Sequence, residues 1–413
     1  MNKAMFAGLS GTVAQQTKLD VIGNNIANAE TVGFKQSRVT FSDMYYQTLL
    51  GGSSGAQLGI GTESASALGG VNPQQVGSGV RIAAIETELG QGSLGSTGRP
   101  LDAALEGPGM FVVTDGSRTS FTRDGSFGLD DQGSLVAMST GMKVLGWQAT
   151  GGVMETSRPP AVMAFRVGQM RPGAATQNVV MGGNADASAA TGDSVGTSIQ
   201  VYDSLGNAHQ VDVTLTKTAV DNQWTCAASS GADAATGTLV FDSTGALTSG
   251  SPISLVLHPT GGATSPQTVA LQLGSVIQFA ATSDLLARSQ DGNHPAALTE
   301  VGFGGGGVIE GKYSDGKTEA LGQVAVAAFA NAAGLERVGN NLYQSSMASG
   351  ETQIGTASSG GRGRVVGRSL EQSNVDLTQS FVDMITTQRA FQASTRAISA
   401  ADKLLDDVMQ IIR

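Results

Sequence analysis

Toward the C-terminus the apolar residues recur at a helical period. After Asn374, a residue suited to capping a helix, come Leu377, Phe381, Met384, Gln388, Phe391, Thr395, Ile398, Asp402, Leu405, Met409 and Ile412. Their spacing alternates by four and three, and only Gln388, Thr395 and Asp402 are polar, so the stripe is coiled-coil-like over about five heptads. Asp383, Arg389, Arg396, Lys403 and Asp407 make the polar face. A shorter segment near the N-terminus has the same character, with Met5, Leu9, Val13, Leu19, Ile22 and Ile26 at helical spacing. Such helices gain most of their stability from packing the apolar face. Each buried Leu, Ile, Phe or Met is worth about 1.5–3 kcal/mol. Pairing the two ends covers part of this surface. The longer C-terminal helix keeps a surplus, which further copies of the same chain can cover.

Between the ends the pattern is β. Turn chemistry punctuates short strands: "RDGS" at Arg123, "DDQGS" at Asp130, "YDSLGNAH" at Tyr202, "FDSTGAL" at Phe241 and "YSDGK" at Tyr313. "VYDSLG" and "VFDSTG" read as one hairpin device used twice, and the alternation of Val211, Val213 and Leu215 suits half-buried antiparallel strands. Composition shifts near 150–160 and 282–288 bracket an insertion. The expected fold is mainly β with α-helical termini and nested, discontinuous domains. Residues 1–30 and 370–413 form a helical inner domain, 31–75 an extended arm, and 76–146 with 285–360 a middle β domain. Residues 147–284 form an inserted outer β domain, and 361–369 a linker.

Composition narrows the function. The chain has 413 residues, 58 of them glycine, only 14 % charged residues, and a net charge of −10. Nucleic-acid binding needs a basic face, and the most basic stretch, "GRGRVVGR" at 361–368, is diluted by glycine. One cysteine, Cys226, excludes an intramolecular disulfide framework. "GFGGGG" at 302–307 matches a dinucleotide-binding spacing but is followed by a strand-like "VIEGKY" rather than a helix. The three histidines show no metal-ligand spacing, and no G-x-S-x-G elbow occurs. No catalytic, cofactor or metal site is expected, and a non-enzymatic chain is the reading. No apolar run is long enough to span a membrane.

Several stretches resemble the bacterial flagellar rod and hook protein family. "LDVIGNNIANAETVGFKQSRVTFSDMY" is similar to the N-terminal signature of that family, and "SNVDLTQSFVDMITTQRAFQASTRAI" to its C-terminal one. "TGRPLDAALEGPGMFVV", "FTRDGSFGLDDQGSLV", "VYDSLGNAHQVDV" and "LGQVAVAAFANAAGLERVGNNLYQSS" resemble its intervening segments in order. The length and full inserted domain point to the hook branch, with the shorter distal rod proteins as the alternative.

The resemblance implies a structural subunit that polymerises into a curved, flexible tube, a universal joint passing torque from rod to filament. Its implied partners are copies of itself, a distal rod protein, a hook cap protein, a hook–filament junction protein and the flagellar type III export apparatus. The implied location is the flagellum outside the cell, reached without a cleaved signal. Some family members are cross-linked between subunits through a cysteine, a role not expected for Cys226. A secreted adhesin, the competitor from another class, would not need a helix at each end.

The self-assembly residues expected on the inner helices are Leu9, Val13, Leu19, Ile22, Asn24, Asn25, Ile26, Asn28, Leu377, Phe381, Met384, Phe391, Ile398, Leu405, Met409 and Ile412. The asparagines stand out because Asn is a poor helix-interior residue. Either their amides reach neighbouring subunits, the favoured reading, or the helix frays at Gly23 and they cap and turn the chain. Gly151, Gly152 and Gly292 are the expected interdomain hinges.

Overall fold

The computed structural model describes residues 2–52, 70–150 and 153–411. Gly151, Gly152 and Ile412, named above, lie outside those residues. A long helix stands at each end, α1 (Asn2–Ala27) and α2 (Leu377–Ile411), and among the described residues the elements between them are strands and two short 3-10 turns. The chain divides into two compact units, Met1–Phe165 with Gly302–Glu310 and Ala320–Arg413, and Arg166–Val301 with Gly311–Glu319.

In the first unit α1 and α2 pack against each other. A two-stranded ribbon follows α1: Ser37–Asp43 pairs antiparallel with Val80–Thr87, and Tyr46–Leu50 with Gln74–Gly77. Much of the described part of the expected arm is therefore paired strand. The ribbon lies along α1, where the Val80 N–H donates to Ser10 Oγ at 3.2 Å. The β body is built on the hairpin of Met110–Thr114 and Thr119–Thr122. Lys143–Thr150 pairs with that hairpin through Lys143 and Thr114, and Trp147 lies opposite Gln323. Met110, Val112, Phe121, Trp147, Ala325, Ala327, Leu335 and Tyr343 form its core.

Residues 147–165, expected in the insertion, stay in this unit because Leu145 pairs with Val162 and Ala149 with Met154. Part of the expected linker 361–369 is also strand. Arg364–Gly367 pairs with Ala103–Glu106, and Ser369–Glu371 with Leu94–Ser96. Valines at 365 and 366 supply the β-branched side chains that a glycine-rich composition obscures.

The second unit is a sandwich. A four-stranded sheet runs in the order Ile253–Leu257, Gln267–Ile277, Asn178–Asn184, Asp284–Gln290, with one parallel pair between Asn178–Asn184 and Gln267–Ile277. The other sheet is a five-stranded meander from Ser194–Tyr202 to Leu247–Ser249. Val211, Val213 and Leu215 point into the core with Trp224, Cys226 and Leu239, while Asp212 between them is exposed. The repeated hairpin device is present. Asp203 Oδ1 accepts from the Leu205 and Asn207 amides at 2.9 Å, and Asp242 Oδ1 accepts from the Thr244 and Ala246 amides at 2.8 and 2.9 Å. Gly206 and Gly245 follow at φ +84° and +81°, the left-handed position such a turn requires.

Asp203 is buried, which raises its pKa, yet Asn207, His209 and the Leu205 amide outweigh burial and bring it down to about 2. A folded-state pKa below the ordinary 3.8 means stability present above that value and lost as pH falls through about 2. At 1.36 kcal/mol per unit this amounts to about 2 kcal/mol. In a Trp147→Phe background, urea unfolding followed by Trp224 fluorescence should weaken between pH 5 and pH 2. The Asp203→Asn chain should lose about 2 kcal/mol less over that range.

Candidate assembly interface

The geometry of the helix pair begins at three small residues. Ala14 is buried, and a Cβ added at Gly8 would lie 2.8 Å from Ile398 Cγ1, and one at Gly11 3.2 Å from Ser394 Oγ. A side chain at Gly8 would require Ile398 to shift, and one at Gly11 would push Ser394 back by a few tenths of an ångström. On the facing side Ser380, Thr387 and Ala401 are buried and Ser394 half-buried, each one heptad from the next. As the α1 numbers rise the α2 contacts fall, so the helices are antiparallel.

The buried edge of α2 is therefore rotated from the stripe expected from sequence. Met384, Phe391, Ile398 and Leu405 flank it and are half-buried. Leu377, Phe381 and Met409 point outward at 42 %, 50 % and 70 % exposure. On α1, Ile22 is buried and Leu19 and Ile26 are half-buried, whereas Leu9 and Val13 are exposed. Phe6 on α1 and Val382, Ile385 and Leu404 on α2 are also exposed and were not among the expected positions. Helical periodicity places residues on a face but does not say which of two adjacent faces meets the partner helix. The small residues opposite Gly8 and Gly11 carried that signal. Met5, Phe6, Leu9 and Ile398 line a surface hollow of about 320 Å³.

The asparagines are engaged within the chain. Helix α1 continues past Gly23, so the helix does not fray there. Asn25 is buried, its Nδ2 donates to the Ser37 carbonyl at 2.8 Å, and the Ser37 N–H donates to its Oδ1 at 2.9 Å. This clamp mimics a strand pairing and fixes the start of the ribbon, so the Asn25 amide is not offered to a neighbour. Asn28 Nδ2 donates to the Asn24 carbonyl and to Asn24 Oδ1 at 2.9 and 2.8 Å, closing the helix end. Asn24 itself is exposed.

The helices are tied to the β body by a buried ionic cluster that sequence inspection missed. Lys35 Nζ donates to Glu371 Oε1 at 2.5 Å and to the Gly90 carbonyl at 2.8 Å. Arg123 Nη1 donates to Glu371 Oε2 at 3.1 Å, and Nη2 to the Gly107 carbonyl at 2.7 Å. Lys35 and Glu371 are fully buried, and Arg123 is nearly so. Burial pushes the Lys35 pKa down, against the pull of Glu371. Asn374, just before α2, accepts from the Gln36 N–H at 2.8 Å and donates to the Glu88 carbonyl at 2.8 Å. Arg337 donates to the Lys35 carbonyl and stacks on Phe34 and Tyr343. The partners are too distant in sequence for any local pattern to show them.

Elsewhere, Gly292 lies within the second unit, and a Cβ there would lie 2.0 Å from Thr176 Oγ1, so a side chain does not fit without a shift. Cys226 lies in the strand Gln223–Ser230, fully buried, with its thiol pushed up to about 11 by burial. "GFGGGG" forms a 3-10 turn, Gly305–Gly307, running directly into the strand Val308–Tyr313, with no helix behind it.

Known proteins match the sequence over all or nearly all of its length. A flagellar hook protein FlgE from Treponema pallidum is 35 % identical over all of both chains. The chain belongs to the flagellar hook protein FlgE family. Another FlgE, from Salmonella typhimurium, is 32 % identical over 98 % of each chain, and a flagellar basal-body rod protein FlgG from Bacillus subtilis is 28 % identical over both. Family models cover the parts separately: the flagella basal body rod protein model matches 5–35, and the flagellar hook protein FlgE/F/G D1 domain 104–180. The flagellar basal body protein FlaE D2 domain matches 173–293, and the flagellar basal body rod FlgEFG protein C-terminal model 366–411. The fold is shared with a Helicobacter pylori flagellar hook protein FlgE2, at a TM-score of 0.52 and 13 % identity over 67 % of this chain and all of that one. In this FlgE-family chain most of α1, with Asn25, falls inside the rod-protein match, and Glu371 and α2 inside the C-terminal one.

Removing one partner from a buried ion pair leaves an uncompensated charge, at a cost of about 3–5 kcal/mol. Glu371→Gln should therefore lower the unfolding free energy of the first unit by that amount, measured by urea titration followed by Trp147 fluorescence in a Trp224→Phe background. Adding Lys35→Met should recover part of the loss. The Cys226 thiol should react with an aromatic disulfide reagent only after unfolding.

Proposed function

We propose that this chain is the structural subunit of the bacterial flagellar hook. On this reading it is exported through the flagellar channel and polymerises outside the cell into a curved tube that transmits torque between rod and filament. Within the flagellum it meets copies of itself along the tube, the distal rod protein at one end, and the cap and then the junction protein at the other. One observation carries the reading. The helix pair leaves Phe6, Leu9, Val13, Leu377, Phe381 and Ile385 at 42–64 % exposure. Apolar surface of this kind, on two ordered helices, marks an interaction site.

The physical division of labour follows from where rigidity lies. The cluster of Lys35, Arg123 and Glu371, with the Asn25 and Asn374 clamps, holds α1 and α2 at a set angle to the β body of the first unit. Torque applied to that body therefore reaches the helices without loss at the joint. Bending has to be absorbed in contacts between neighbouring subunits, and a surface with few charged residues allows such contacts to slide without a large electrostatic barrier.

Electron microscopy of the purified, concentrated chain tests the reading. Curved tubes are expected. Straight, rigid tubes would favour a distal rod role, and a chain that stays monomeric at high concentration would defeat the assembly reading altogether.

A further inference from the structure

We propose that a hollow in the β body of the first unit is a binding site for a carboxylate carried on a short apolar stem. This goes beyond the assembly reading and does not depend on it. The hollow has a volume of about 390 Å³, and the residues lining it all belong to the first unit. Leu89, Met110, Phe329 and Ala332 give it apolar walls, and they pack in or against the core that contains Trp147. Its polar side chains are two, the exposed Gln353 and the buried Arg123. A mostly apolar hollow with a few convergent polar groups is the usual form of a ligand site.

Arg123 is 4 % exposed, yet its guanidinium is only partly satisfied. Nη1 donates to Glu371 Oε2 at 3.1 Å and to the Leu105 carbonyl at 3.3 Å, and Nη2 donates to the Gly107 carbonyl at 2.7 Å. The buried Nε–H has no hydrogen-bond partner among the described residues. A buried donor left without an acceptor is costly. The one carboxylate that Arg123 touches is also shared, because Glu371 accepts from Lys35 Nζ and from the Gly92 N–H as well. The other buried carboxylates described in this unit are engaged elsewhere: Asp102 with Thr97 and Arg99, Asp124 with Ser126 and Ser139.

These observations select the ligand. An acceptor entering the hollow supplies what Nε–H lacks, and an ionised oxygen makes the stronger, charge-assisted bond. The Gln353 amide is a further donor on the same hollow. The apolar walls offer nothing to a second charge, so a phosphate or a dicarboxylate would lose hydration without replacement. A monocarboxylate avoids that loss, and its hydrocarbon stem covers Leu89, Met110 and Phe329.

Hexanoate and 1-hexanol, equal in chain length, test the site on the intact chain. By titration calorimetry hexanoate should bind once per chain, and hexanol about tenfold more weakly or worse, since it brings no charge to the guanidinium. Hexanoate should raise the urea midpoint reported by Trp147 in a Trp224→Phe background, because a ligand of the folded state stabilises it. The midpoint reported by Trp224 in a Trp147→Phe background should not move. Gln353→Glu, a change of equal size at an exposed position, should weaken hexanoate and leave hexanol as it was. Ala330→Phe, at an exposed residue of the lining, should block both ligands while circular dichroism stays that of the parent. Equal affinity for hexanol, undiminished hexanoate binding by both variants, or no binding of hexanoate at all would overturn the proposal. A short peptide blocked at both ends and carrying one glutamate separates two sources of this chemistry. Tighter binding than hexanoate assigns the site to a protein side chain, and weaker binding to a free acid.

Discussion

The close approach of α1 and α2 governs what the rest of the molecule can do. Glycine at 8 and 11, alanine at 14 and the small side chains along one edge of α2 let the helices meet at short distance. Because the seam is filled by small residues, the large apolar side chains are displaced to its flanks and beyond. A helix pair joined through leucine and phenylalanine would have buried those residues within one chain and left little for another. Here the intramolecular contact and the exposed apolar side chains are two sides of the same packing decision.

The helix pair is also attached firmly to the β body of its unit. Two cations share the Glu371 carboxylate in a buried site, joined by hydrogen bonds to the Gly90 and Gly107 carbonyls and from the Gly92 N–H. Such a cluster is a poor source of net stability, since desolvation offsets most of the attraction. Its effect is directional: the ion pairs and hydrogen bonds fix Lys35, Arg123 and Glu371, and the segments that carry them, against one another. The Asn25 clamp acts similarly, exchanging two hydrogen bonds with Ser37 as a strand neighbour would.

The asparagines show how a feature can be noticed in sequence and interpreted only in structure. Their unsuitability for a helix interior was visible at once. Whether the amides turn inward or toward another molecule depends on where the chain goes next, and that is set by the ribbon starting at Ser37. The hairpins were easier, because an Asp followed by a glycine in left-handed conformation is a local device, and Asp203 and Asp242 act within four residues.

Periodicity and turn chemistry, both properties of neighbouring residues, determined from the sequence alone that helices stand at the ends, that strands fill the middle, and that apolar surface exceeds what one chain can cover. The signature segments set the family. Which face of α2 meets α1, where the boundary between the units falls, and the existence of the Lys35–Arg123–Glu371 cluster were decided by tertiary structure. Those depend on contacts between residues hundreds of positions apart. Small differences in side-chain size at such contacts rotate a helix or move a strand from one unit to another, and no local pattern records them.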